Sequence, residues 1–111
     1  MDLYHGTSSY YHEMIKADGV LRCAPHGDQH VSFSRDKSIA AKAAQTSVDI
    51  VNSDFDANAT PVILKTSSEA LKGAGLRHAL FSSMVWGEGN CDHEQEIACY
   101  DDVPYALVSV E

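Results

Sequence analysis

The 111-residue sequence predicts a single α+β domain. Three observations lead there: two helical segments come early, β-forming runs come late, and no strand–helix–strand unit repeats along the chain. Leu3 and Tyr4 open a short strand over residues 2–5 that runs into Gly6. Ser8 or Ser9 caps a helix with Tyr11, Met14 and Ile15 on one face, and Asp18-Gly19 stops it. Residues 22–30 hold Pro, Gly and polar side chains and read as a loop. Val31-Ser32-Phe33-Ser34 alternates as a half-buried strand does, and Asp36 caps an alanine-rich helix from Lys37 to about Val51. After a polar stretch from Asn52 to Thr60, Pro61 to Thr66 is the strongest strand in the sequence. Ser67 to Leu71 is at most one helical turn. Gly73, Gly75, Gly87 and Gly89 punctuate residues 73–95, with a short strand near Leu80-Phe81. Glu96 to Tyr100 and Tyr105 to Val110 read as two closing strands joined by Asp101-Asp102-Val103-Pro104.

Composition narrows the function. Apolar residues make up 44% of the chain and charged residues 22%, the balance of a globular domain. Eight basic against sixteen acidic side chains give a net charge of −8. That charge argues against direct nucleic-acid binding and against anionic membranes, and there is no Lys/Arg run to make a local exception. No segment approaches the ~20 apolar residues of a membrane span. Residues 1–14 lack the basic and apolar regions of a secretory signal, and three cysteines cannot all pair internally. The expected compartment is a reducing cytoplasm, and charge and size favour a monomer.

The sequence contains no P-loop, no G-x-G-x-x-G, no H-E-x-x-H and no G-x-S-x-G. Three clusters carry chemistry instead. His5-Gly6-Thr7-Ser8 places an imidazole, an approachable backbone and two hydroxyls at a strand end. Ser32 and Ser34 share one strand face, with Phe33 on the other. Glu94 and Glu96 stand two apart at a strand start and point the same way, a spacing at which each carboxylate can raise the pKa of the other. Cys23, His26 and His30, with Cys91 and His93, match no strong zinc spacing, so no metal site is expected.

In this order the clusters resemble the ADP-ribosyltransferase superfamily, the NAD-using fold of bacterial toxins and poly(ADP-ribose) polymerases. The resemblance runs from Leu3 to about Val110. It rests on Tyr4-His5-Gly6-Thr7, the helix ending Asp18-Gly19-Val20-Leu21, Ser32-Phe33-Ser34, and Glu94-Gln95-Glu96 with the strand that follows. It implies a compact fold of split mixed or antiparallel sheets with two or three flanking helices, spanning residues 1–111 as one domain. It also implies NAD as co-substrate and cleavage of the nicotinamide–ribose bond through an oxocarbenium-like centre. By resemblance Glu96 stabilises that cation and Glu94 activates the acceptor. His5 holds the adenosine ribose, Gly6 grips the carboxamide by its backbone, Thr7 belongs to the same cofactor-binding motif, and Ser32 and Ser34 brace the site. The segment from Ser82 to His93 would recognise the target, with Trp86 as a contact. His5 matches the diphtheria-toxin-like and polymerase branch, whereas Ser-x-Ser and Glu-x-Glu match the arginine-modifying branch. The first branch carries a nicotinamide-stacking tyrosine where this chain has Ala40 to Ala44; Tyr10, Tyr11 and Phe33 are the aromatics left for that place.

Two function classes follow. One is mono-ADP-ribosylation of a macromolecule, expected to be a protein with a basic, nucleic-acid-binding surface, as a phage- or toxin-type effector would carry out; NAD⁺ hydrolysis without an acceptor is its minor variant. The other is a non-catalytic acidic module that occupies a basic site on a partner protein, steered there by the −8 charge.

Overall fold

The computed structural model describes residues 1–22, 31–80 and 96–111. At its centre is β1 (Asp2–Ser8), longer than the sequence pattern predicts because Gly6 lies within the strand instead of ending it. Its length is set by a partner: β4 (Pro61–Ser67) pairs with it antiparallel from Asp2↔Ser67 to Ser8↔Pro61. On its other side β1 meets β3 (Val31–Ser34) at Tyr4↔Ser34. Outside β3 lies β6 (Glu96–Cys99), and outside β6 lies β5 (His78–Leu80). At the far edge β8 (Ser109–Val110) pairs with β4. The order is β5-β6-β3-β1-β4-β8, antiparallel at every pairing. A second, two-stranded sheet joins β2 (Val20–Leu21) to β7 (Val103–Pro104). The architecture is α+β, with split sheets and three helices.

Helix α1 (Ser9–Asp18) follows β1 without a loop. The Ser8 hydroxyl accepts the Tyr11 N–H at 3.3 Å, and Gly19, at φ 77°, donates its N–H to the Ile15 carbonyl. The junction with β4 sets the helix phase: Ser9 donates its N–H to the Thr60 carbonyl at 2.8 Å, and the Ser9 hydroxyl accepts from Thr60 N–H at 3.0 Å. Consequently His12 is buried and Ile15 packs against the core, while Tyr11 and Met14 face outward. The inward face expected from apolar spacing was Tyr11, Met14 and Ile15, so only Ile15 lies where that spacing put it. His12 tolerates burial because its Nε2 is hydrogen-bonded to the Tyr105 hydroxyl at 2.9 Å.

Helix α2 (Lys37–Phe55) begins at the Asp36 cap, whose carboxylate accepts the Ser38 N–H at 2.9 Å. It continues past Val51 through residues that look loop-like in isolation. Val51 is fully buried, Asn52 accepts the Ala59 N–H through its side chain at 2.8 Å, and Phe55 stacks on Tyr10; Asp56, at φ 50°, ends the helix. Helix α3 (Ser68–Gly73) is capped by Ser67 and anchored by buried Leu71. Tyr105–Leu107 forms a 3₁₀ turn rather than the expected strand, because the chain crosses here from the small sheet to the edge of the large one. Thr66 fixes that crossing by donating its hydroxyl to the Leu107 carbonyl at 2.7 Å.

One face of the large sheet carries Leu3, Phe33, Leu64, Ile97 and Cys99, which pack with Leu21, Leu71 and Val103 into the core. Helix α2 covers the opposite face through Ala40, Ala44, Val48 and Val51. Among the described residues no helix is long and apolar enough to cross a membrane.

Candidate functional site

The pairing brings the three motif-bearing segments onto neighbouring strands: Glu96 on β6, Ser32 and Ser34 on β3, and His5, Gly6 and Thr7 on β1. In register, Glu96 opposes Ser34, and Ser34 opposes Tyr4. Ser32 opposes Ala98, so the serine level with Glu96 is the second of the pair. Ser34 is 5% exposed, and its hydroxyl oxygen accepts the Asp36 N–H at 3.0 Å. Its own proton is left to donate.

Tyr4↔Ser34 is the pairing between β1 and β3 among the described residues, in contrast to the full-length ladder between β1 and β4. One residue along β1 the link becomes side chain to backbone. His5 Nδ1 lies 2.7 Å from the Ser32 carbonyl oxygen, which can only accept, so Nδ1 carries the proton. Burial pushes the His5 pKa below its ordinary value, and the bond to Ser32 raises it by less. The ring is therefore neutral near pH 7, and Nε2 offers a lone pair. His5 is half-buried, and its ring is tilted against Phe33 with centroids 5.8 Å apart. This places His5 on the core face of β1. Thr7, two residues on, shares that face and is buried.

Gly6 lies on the α2 face. A Cβ there would meet the Ala40 carbonyl oxygen at 1.9 Å and the Ala44 nitrogen at 2.7 Å. Close approach does require the glycine, and here the approaching group is the α2 backbone. The same contact explains the alanines. Ala40 and Ala44 are 3% and 0% exposed against β1, where an aromatic ring would not fit. Phe33 is 1% exposed in the core and presents no face to a ligand, while Tyr10 and Tyr11 belong to a surface cluster with Phe55.

Glu94 and Trp86 lie outside the described residues, as do Cys23, His26, His30, Cys91 and His93. Among the described residues no three His, Cys, Asp or Glu side chains converge as metal ligands would. Tyr4 stands in the first motif without a role of its own, and strand register sets it opposite Ser34. The chain matches no protein-family model and no curated protein.

Proposed function

We propose that this protein is an NAD⁺-dependent mono-ADP-ribosyltransferase acting on a macromolecule, a protein in the first instance. One observation carries the reading: segments from the start, middle and end of the chain, each bearing one motif of the resemblance, occupy adjacent strands, with Glu96 level with Ser34 in register and the His5 ring, on the other face of the sheet from Ser34, bonded to the Ser32 main-chain carbonyl.

Of the residues the resemblance assigns to the co-substrate, His5 has the chemistry that fits it, whereas Gly6 is covered by α2 and Thr7 is buried. A neutral imidazole with a free acceptor suits a ribose hydroxyl, which must donate; a cationic ring would have no acceptor. The bond to Ser32 holds the ring orientation before a ligand arrives, and such preorganisation limits the entropy lost on binding. Bound NAD⁺ supplies the ADP-ribosyl group, with nicotinamide as the leaving group. By resemblance Glu96 supplies negative charge where positive charge develops; the backbone register that sets it opposite Ser34, whose hydroxyl accepts the Asp36 N–H, supports that serine as its neighbour. Glu94 takes the acceptor-activating role and Trp86 the target contact by resemblance alone.

The test is incubation with labelled NAD⁺ and a cell lysate, comparing wild type with Glu96→Gln. A labelled macromolecular band that disappears in the folded variant is the expected result. No label and no nicotinamide release from folded wild-type protein would overturn the reading. The second reading, an acidic module that occupies a basic protein surface, is favoured by the −8 charge and by the absence of room for an aromatic at Ala40 and Ala44. It predicts salt-sensitive partner binding that needs no NAD⁺ and is unchanged in Glu96→Gln.

A further inference from the structure

Where α1 meets the end of α2, the surface carries large apolar side chains that the core does not use. Phe55 is 54% exposed, Met14 51% and Tyr11 38%, with Tyr10 half-buried beside them. They form an ordered group. Tyr10 stacks on Phe55 with centroids 5.3 Å apart and planes 8° from parallel, and Tyr11 meets Tyr10 edge-on at 5.3 Å. Met14 stands one helical turn beyond Tyr10 on α1. The rim is acidic: Asp54 and Asp56 flank Phe55 and are exposed. Glu13 and Tyr10 line a groove of about 260 Å³ that runs along residues 57–59. The cation there, Lys16, is bound to Glu13 at 2.7 Å in an exposed pair, the kind of contact that exchanges at little cost.

We propose that this surface docks an arginine-rich segment of a basic protein partner, whether or not the protein is a transferase. Flat aromatic faces attract a guanidinium through the ring quadrupole, and carboxylates beside them complete the match with paired hydrogen bonds. A lysine ammonium has neither the planar face nor the fork, so arginine is the better occupant. The alternatives carry the wrong sign. A second copy would set the same acidic rim against itself and bring another −8 charge, while nucleic acids and anionic membranes are repelled by the same field. An exposed aromatic cluster with an acidic border therefore selects a cationic partner.

The experiment is fluorescence anisotropy of a labelled nona-arginine peptide titrated with the full chain, with nona-lysine as comparison. Phe55→Ser and Tyr10→Ser should each weaken nona-arginine binding roughly tenfold. Ile50→Ser, exposed on another face of α2, should leave it unchanged. Nona-arginine should bind several-fold tighter than nona-lysine. Equal binding of the two peptides, unaffected by Phe55→Ser, would mean that only overall charge acts and would overturn the proposal. So would a dimer in sedimentation that dissociates in Phe55→Ser. Amide NMR of the unaltered protein guards against a misfolded variant: peptide-induced shifts must centre on Tyr10, Glu13 and Phe55, and shifts centred elsewhere refute the assignment.

Discussion

Replacing Gly6 with alanine tests the central packing contact. Gly6 does not have a positive φ, so alanine suits its backbone and, by restricting the unfolded chain, would by itself stabilise by about 0.4–1 kcal/mol. Opposing this, the new Cβ would lie 1.9 Å from the Ala40 carbonyl oxygen, where real Cβ atoms come no closer than 3.0 Å. Helix α2 would have to retreat by the difference, about 1.1 Å, lifting buried Ala44, Val48 and Val51 with it. Overpacking of this kind costs about 1–3 kcal/mol when side chains can yield. Here the obstruction is helix backbone, so the upper end applies, and the net loss is about 2–3 kcal/mol. For a domain of this size that lowers Tm by roughly 10 °C or more. Urea unfolding followed by circular dichroism would show a lower midpoint with an unchanged slope. Ala44→Gly should not rescue the variant, since the clash is with main-chain atoms. If Gly6→Ala stays within ~0.5 kcal/mol of wild type, α2 does not press on β1 as described, and the glycine must answer to something other than the helix.

Other outcomes follow from the same contacts. Ser34→Ala removes the buried acceptor of the Asp36 N–H and should cost about 1–2 kcal/mol in urea unfolding; on the transferase reading it also lowers kcat more than Ser32→Ala does, and equal effects would remove the role assigned by register. Tyr105→Phe leaves buried His12 without the hydroxyl that meets its Nε2 and should destabilise by roughly 1–3 kcal/mol; a neutral substitution would show that this bond is not needed. The folded-state pKa of His5 lies below 6.5, so the unfolded chain takes up a proton that the fold resists. Its contribution is intact above pH 6.5 and is lost as pH falls through the lowered value. Between about pH 7.5 and about pH 5.5, unfolding free energy should therefore drop more in wild type than in His5→Gln, and parallel profiles would refute the burial of His5.

Much of the fold was legible from local signals. Ser8 and Asp36 act as helix caps because short polar side chains satisfy the first free N–H groups, and Gly19 ends α1 because it adopts a positive φ. Alternation placed Ser32 and Ser34 opposite Phe33, and the burial of Phe33 agrees. The misses came where distant partners overrode local preference. Asn52 to Phe55 is polar enough for a loop, yet Val51 and the Tyr10–Phe55 stack hold it in helix. Tyr105 to Leu107 has a strand composition, yet its position between two sheets bends it. The inward face of α1 went to His12 because hydrogen bonds with Thr60 set the helix phase and Tyr105 met the imidazole.

By itself the sequence determined the class of the domain, its helix boundaries at the capped ends, its acidic charge and the residue types available for chemistry. These depend on neighbours a few positions away or on simple composition. Only the tertiary structure decided which of those residues meet. Glu96, Ser34 and Tyr4 align because β6, β3 and β1 pair in that order, and the His5 ring takes its tautomer from a carbonyl on another strand. Gly6 is required by a helix that packs across it rather than by any neighbour in the chain. Register and close packing are cooperative properties of the whole core, since each strand pairing is chosen by the burial it permits on both faces of the sheet.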